Sequence, residues 1–444
     1  MKEKLLFAVT AYALLLTSCG QPAVSPTAVL PTLTREPTAT PQVVANEEYL
    51  STFEAVWQTV NDTYFDPSFG GLDWSEVHER YQPLIAASEN HSAFYKLLNA
   101  MLFELNVSHI AVVPPDDLQQ IDPILAAEGS SGIDVRLIDG NAVITFVEPG
   151  SPGAQAGLRP GFVIQSIDGN TIEQISAKTV LIPPLHDRNK RKRITSAILG
   201  HLYGSPETTA SVVYLDEQGE THTASIVREI RAGGVVLDDT LPPFFIDFEA
   251  KRLDGDIGYI RFNAFLPPVD QTFPEAIESM SDTSGLIIDL RGNHGGAFFV
   301  RKALAEKLVG ERTLFWRYER RDATRDVYLE PAENVYKGLV VVLIDVLSIS
   351  SAEEFAAGLQ AIGRAVIVGE RSPGIVVVGE VTQLPNGATF MYPIERTMTP
   401  DGSVLEGNGV TPDIEVALDR SLLLQGIDAQ LEAAVRYIED ELQK

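Results

Sequence analysis

Residues 337–370 read KGLVVVLIDVLSISSAEEFAAGLQAIGRAVIVGE. The run 339–345 is almost continuously apolar, which predicts a strand buried on both faces rather than one with a wet side. The segment SSAEEFAAGLQAIG reads as a helix, and GRAVIVGE as a further strand. Upstream, LDGDIGYIRFNAF (253–265) is strand-like, and SGLIIDLRGNHGG (284–296) is a second buried strand ending in a glycine-rich turn. Apolar strands alternating with helices predict an α/β fold with a largely parallel sheet for residues 231–444. Ser348, Ser350 and Ser351 lie where strand gives way to helix. A nucleophile there would have helix N–H groups aimed at whatever it attacks, and one such donor contributes roughly 2.7–4 kcal/mol to an oxyanion. Ser350-x-x-Glu353 and Ser351-x-x-Glu354 are also capping boxes, so spacing alone leaves both uses open.

The chain has 444 residues, 45% of them hydrophobic and 21% charged, enough to bury a core. At roughly 100–200 residues per domain this length predicts two to four domains. Sixty-one acidic residues against 34 basic ones give a net charge of −27. Such a surface repels phosphate backbones, so nucleic acid is not an expected partner. A single cysteine excludes an intramolecular disulfide and a cysteine-based zinc ribbon. The sequence contains no HExxH, GxxxxGK[ST] or GxGxxG, and no metal or cofactor is expected.

Lys2 and Lys4 precede the apolar run 5–16, too short for a span of about 20 residues and read as a secretory signal. Leu16-Thr17-Ser18-Cys19 resembles the lipobox of bacterial lipoproteins, which makes Cys19 the expected lipidation site of a leader covering 1–19. The Pro/Thr-rich stretch 20–46 then reads as a disordered linker. The expected location is the bacterial cell envelope, extracytoplasmic and held to the membrane by lipid, with each buried methylene contributing about 0.8 kcal/mol.

Helical periodicity recurs through YLSTFEAVWQTVNDTYF and SAFYKLLNAMLFEL, giving an N-terminal helical segment over 47–125. Residues 130–230 resemble a PDZ domain. SPGAQAGLRPGFVIQSIDG matches that family's pattern, with Phe162 in place of its usual aspartate. PDZ domains take peptide C-termini by strand addition. By this resemblance Ser131, Gly132 and Ile133 form the carboxylate-binding loop. The basic run Arg188-Asn189-Lys190-Arg191-Lys192-Arg193 reads as a solvated helix face, or as one meeting an acidic partner or a peptide carboxylate. Trp57, Trp74 and Trp316 read as core anchors.

Four further blocks follow in order: Asp289–Gly296, Ser348–Phe355, Gly363–Glu370 and Glu406–Asp413. With the helical segment and the PDZ-like region they resemble the carboxyl-terminal processing, or tail-specific, serine proteases. The resemblance implies a crotonase-like (ClpP/crotonase) α/β protease core with an inserted PDZ domain. It selects Ser350 as nucleophile. One branch of that family uses a lysine in a G-E-x-x-x-G-K pattern, but here the stretch Gly369–Ile375 ends in isoleucine, and no lysine lies between Lys337 and Lys444. The tricorn-like branch uses histidine instead. FELNVSHIAVV and LEGNGVTPD resemble its motifs and imply His109 as base, with Ser108 and Glu406 behind it. The expected oxyanion donors are the N–H groups of Ser351 and of Gly295 or Gly296, with His294 only filling a variable position in that turn.

The expected function is a lipid-anchored serine endopeptidase acting on peptide or unfolded protein tails. The alternatives are a catalytically silent peptide-binding module and, more weakly, a crotonase-like acyl-transfer enzyme. Metabolic labelling with palmitate should mark the wild-type chain and not a Cys19→Ala variant. An unlabelled wild type would remove the anchor.

Overall fold

The computed structural model describes residues 7–8, 41–120, 122–179, 187–237 and 242–444. Cys19 and most of the leader and linker lie outside the described residues. Among the described residues no helix is long and apolar enough to cross a membrane.

The centre is a six-stranded sheet in the order Phe248–Leu253, Ile257–Phe262, Gly285–Asp289, Leu339–Ile344, Val366–Gly369, Ile414–Glu415. Its first pair is antiparallel and the other four pairs are parallel. The apolar run of Leu339–Ile344 serves two cores at once. Val342 and Ile344 face the main core, while Val341 and Leu343 face a second one closed by helix Ala429–Leu442. That helix starts on an Asp428 cap, whose carboxylate accepts from Gln430 and Leu431 N–H. It lies so close that a Cβ on Gly285 would sit 2.5 Å from Ile438 Cγ2.

A second, antiparallel sheet runs Thr324–Leu329, Thr313–Glu319, Thr389–Met398, Ala111–Val113, with Val378–Gln383 also pairing to Thr389–Met398. Here the N-terminal segment departs from the helical expectation. After helices Pro41–Thr63, Trp74–Ala86 and His91–Phe103 it contributes the strand Ala111–Val113. The strand is tied back to the third helix by Asn99, whose side chain accepts from Val112 N–H at 2.8 Å and donates to Val112 C=O at 2.9 Å. Trp57 and Trp74 exchange indole-to-carbonyl bonds, and Trp316 is buried with its indole N–H on Glu354 C=O.

Residues 133–227 form an inserted unit. Its strands Ile133–Ile138, Asn141–Val147, Val163–Ile167, Thr209–Leu215 and Thr221–Val227 make one antiparallel sheet in that order, covered by helices Ile172–Thr179 and Asp187–Leu202. The unit does not hang loosely from the core. Val346 and Leu347, just upstream of Ser350, belong to its hydrophobic cluster. Arg136 Nε donates to Asp345 Oδ2 at 2.5 Å, with both side chains buried. Within the basic run, Asn189, Lys192 and Arg193 correct the solvated-face expectation, while Lys190 is exposed as expected. Asn189, Lys192 and Arg193 are buried, and Arg191 reaches Leu137 C=O and Glu370. The physical reason is that this helix packs between its own sheet and the domain of the central sheet, which Arg191 reaches through Glu370.

Removing one partner of a buried ion pair strands the other, at about 3–5 kcal/mol. Arg136→Met should therefore lower the urea midpoint well beyond experimental scatter. An unchanged midpoint would mean the pair contributes nothing to holding the two units together.

Candidate active site

Strand Leu339–Ile344 ends six residues before Ser350, and helix Ser351–Ala361 begins directly after it. Ser350 itself sits at φ 56°, ψ −118°. For a residue with a Cβ this is a strained conformation, of order 1–3 kcal/mol, of the kind that presents a nucleophile at a strand-to-helix turn. Its N–H is shared between Ile375 C=O at 2.9 Å and Glu353 Oε2 at 3.1 Å. The neighbouring serines have other duties. Ser348 Oγ donates to Leu290 C=O at 2.7 Å, and Ser351 Oγ donates to Gly296 C=O at 2.8 Å. Ser350 is the hydroxyl of the run with no such donation among the described residues.

Glu353, read from sequence only as a capping residue, is a hub. Its carboxylate accepts from Ser372 Oγ at 2.6 Å, Gly374 N–H at 2.7 Å, Ile375 N–H at 2.8 Å and Ser350 N–H. Burial pushes its pKa up to about 7, against those donors, which favour the charged form. The next two N–H groups along the same strap, those of Val376 and Val377, go to Glu406 Oε2 at 2.9 and 3.2 Å. So four consecutive backbone N–H groups, 374–377, bridge two carboxylates, buried Glu353 and half-buried Glu406.

Glu406 and Ser108 lie 298 residues apart and meet twice. Ser108 N–H donates to Oε1 at 2.7 Å and Ser108 Oγ to Oε2 at 2.9 Å. Ser108 Oγ also lies 2.9 Å from His109 Nδ1. A serine hydroxyl has one proton to give. Glu406, already holding three N–H donors, is an acceptor, so that proton goes to it. His109 Nδ1 must then be the donor to Ser108 Oγ, which leaves Nε2 with a bare lone pair. Nε2 is buried and has no hydrogen-bond partner among the described residues. Burial, with Lys192 adding to it, lowers the His109 pKa to about 3, so the ring is neutral.

The turn Gly292–Gly296 closes over Ser350. A Cβ on Gly295, which has φ +80°, would sit 2.6 Å from Ser350 Cβ, so glycine is required there. Gly295 N–H is donated to Asn293 Oδ1 at 2.9 Å. This removes it from the expected oxyanion donors and leaves Gly296 and Ser351. His294 is more than a filler. Its Nδ1 lies 2.7 Å from Asp122 Oδ2, and Asp122 Oδ1 caps Ile124 and Leu125 N–H, clipping the preceding loop to the turn. Below, Arg301 donates to Ser351 Oγ at 3.0 Å, pairs with Glu354 and lies 4.4 Å from the Trp316 ring centre. Sequence reasoning missed Glu353, Asp122 and Arg301 as parts of this site, since no local pattern marks them.

Ser131, Gly132 and Ile133 lie at the start of the inserted sheet and are all buried. Gly132 packs so tightly that a Cβ would fall 2.2 Å from that of Ser151, and its N–H is already donated to Ser130 Oγ at 2.9 Å. Asp216, Glu220 and His222 cluster on an exposed hairpin, but both Asp216 oxygens are engaged within it, and nothing else there points to a metal.

Residues 256–416 match Peptidase family S41, and residues 45–103 match the Tricorn protease C1 domain. The chain is 25% identical over 389 residues to the chloroplastic C-terminal processing peptidase of Tetradesmus obliquus, covering 84% of this chain and 78% of that one. It is 24% identical to the carboxyl-terminal-processing protease of Synechocystis sp., over 84% of this chain and 82% of the relative. Among solved structures, mature CPAF complexed with lactacystin superposes with a TM-score of 0.61 at 15% identity, covering 90% of this chain and 99% of that one, a likeness of fold alone. Matched along both its helical segment and its core, the chain carries a Peptidase family S41 domain over residues 256–416 and is similar to the carboxyl-terminal processing proteases, and it is a serine-type endopeptidase.

Proposed function

We propose that this chain is a lipid-anchored endopeptidase of the cell envelope that takes unstructured protein tails through a PDZ-type inserted domain. It cuts them with Ser350 as nucleophile and His109 as base. The observation that carries this is the Glu406–Ser108–His109 relay, which leaves His109 Nε2 unprotonated and unpartnered.

In the proposed cycle, Ser350 Oγ attacks the scissile carbonyl carbon while His109 Nε2 takes its proton. The oxyanion that forms is met by the N–H groups of Ser351, at the first position of its helix, and Gly296. The intermediate collapses, and the imidazolium gives the proton to the leaving amine. A water molecule, deprotonated by the same ring, then hydrolyses the acyl-serine. Nδ1 keeps its proton throughout, and Ser108 and Glu406 stabilise the transient positive charge. The bond from Nε2 to the Ser350 hydroxyl is not made in this structure. Substrate has to bring the two together, which fits the loose catalytic bonds of enzymes without substrate. The PDZ reading rests on the inserted antiparallel sheet and on the order of its strands and helices. The crotonase-like reading of the core rests on its mainly parallel sheet with helices against it. The silent-module alternative draws on the same unmade bond, and the probe below separates the two.

A fluorophosphonate probe should label the wild type and not Ser350→Ala, and His109→Asn should lower kcat by roughly two to four decades. A wild type that never labels would leave only the binding module, and near-normal turnover of His109→Asn would remove the proposed base. The pH dependence follows from the sign of the His109 shift. The neutral ring is the active form, and its pKa lies far below 6.5. The acid limb of the labelling rate should therefore fall at least one unit below the ordinary imidazole value of about 6.5. A limb at 6.5 or above would contradict the burial of the base.

A further inference from the structure

The two oxyanion donors come from different segments. Gly296 N–H belongs to the closing turn and Ser351 N–H to the helix behind the nucleophile. Their spacing has to be held, because a misplacement of about 1 Å can cost roughly 10²-fold in rate. On the turn side the backbone of Phe265 does part of the holding. Phe265 N–H donates to Gly295 C=O at 2.6 Å, and Ala297 N–H donates to Phe265 C=O at 2.8 Å. In a trans peptide the N–H and C=O point opposite ways. Gly295 C=O is turned to Phe265, so Gly296 N–H is turned away from it. Glycine at 296 permits this close approach, since a Cβ there would fall 2.4 Å from the Phe265 carbonyl oxygen.

On the helix side the holding is done by side chains. Ser351 and Glu354, whose spacing reads as a capping box, are used differently here. Glu354 N–H goes to Ser350 C=O at 3.0 Å, Ser351 Oγ reaches across to Gly296 C=O at 2.8 Å, and the Glu354 carboxylate pairs with Arg301. Arg301 stands on the helix Phe298–Glu306, which starts directly after the turn, and is only 2% exposed. Its Nη1 donates to Ser351 Oγ at 3.0 Å and its Nη2 to the Tyr318 hydroxyl at 2.5 Å. An arginine only donates. Ser351 Oγ accepts from it, so the one serine proton is committed to Gly296 C=O. The bonds from Arg301 to Ser351 Oγ to Gly296 C=O thus run one way, and each polarises the next. They tie the residue that carries one oxyanion donor to the residue that carries the other. The ion pair is anchored in turn, since Thr397 Oγ1 lies 2.5 Å from Glu354 Oε1 and 3.0 Å from Val376 C=O, on the strap that holds Glu406.

We propose that Arg301, acting through the Ser351 hydroxyl, is the positioning residue of the oxyanion hole. It sets the distance and direction between Ser351 N–H and Gly296 N–H and does not itself touch substrate. Without its donor the Ser351 proton is no longer committed to Gly296, and the two N–H groups are placed only by the separate segments that carry them. Such a loss is felt where charge develops on the carbonyl oxygen, in the transition state, and hardly in substrate binding. The proposal rests on the protease reading given above.

The test uses the full chain. A cut site in denatured casein is mapped by mass spectrometry, and two peptides are made from it, a substrate spanning the cut and an aldehyde ending at it. The aldehyde forms a hemiacetal with the nucleophile, whose oxygen sits in the oxyanion hole. Ser351→Ala keeps the backbone N–H and the Arg301–Glu354 pair but removes the bridge. It should lower kcat at least tenfold, short of the roughly 10²–10³ that follows removal of a donor outright. Aldehyde binding should weaken by a similar factor, with KM within twofold and the acid limb of the pH profile unmoved. Arg301→Met should give the same pattern, and Arg301→Lys, which keeps a charged donor, should recover part of the loss. Arg301→Met strands the Glu354 carboxylate, so if it does not fold, Ser351→Ala and Arg301→Lys decide the matter. Wild-type kcat and aldehyde affinity in Ser351→Ala, a loss confined to KM, or a moved acid limb overturns the positioning role and leaves the protease standing. A wild type that neither cuts nor labels with the fluorophosphonate overturns both.

Discussion

Ser108 has one proton on its hydroxyl, and the arrangement of the site follows from where that proton goes. Because Glu406 accepts it, Ser108 can only accept from His109, and the imidazole is held as the Nδ1–H tautomer with its far nitrogen bare. A carboxylate placed directly on the ring would orient it too, but would also raise its pKa. With a neutral hydroxyl in between, orientation is kept while burial holds the ring uncharged. The relay works only if Glu406 stays an acceptor, which is the role of the Val376 and Val377 N–H groups and of Ser108 N–H.

The strap 372–377 extends this constraint to the nucleophile. Its N–H groups grip Glu406 on one side and Glu353 on the other, and its Ile375 carbonyl takes Ser350 N–H. The strained backbone of Ser350 is thereby held by the same segment that fixes the relay. By resemblance, Ile375 stands where another branch of the family carries a lysine. Here its side chain is fully buried and its backbone does the positioning. The inserted unit joins the same assembly through Val346, Leu347 and the Arg136–Asp345 pair, and Asp345 also accepts Gly292 N–H of the closing turn.

Much of the fold was legible because its signals are local. The apolar run 339–345, the glycine-rich turn and the helix that follows placed Ser350 at a strand end. The turns at Asp139-Gly140 and Glu217-Gln218-Gly219 stand between the strands of the inserted sheet. The strand Ala111–Val113 was missed because three residues are too few for a periodic pattern, and it exists only by pairing with Thr389–Met398. The basic run 188–193 was conspicuous, but its direction was misread. Amphipathic spacing tells which residues share a face and not what covers that face.

Sequence by itself determined the element types, the candidate hydroxyl and the absence of a lysine base near it, since these depend on neighbours within a few residues. The tertiary structure decided which nitrogen of His109 is bare, that Gly295 N–H is already engaged, and that Lys192 is buried beside the base. Each of those depends on hydrogen-bond or charge partners brought from distant parts of the chain. A proton shared between residues 108 and 406 has no trace in local pattern, because folding alone sets the distance across which it is given.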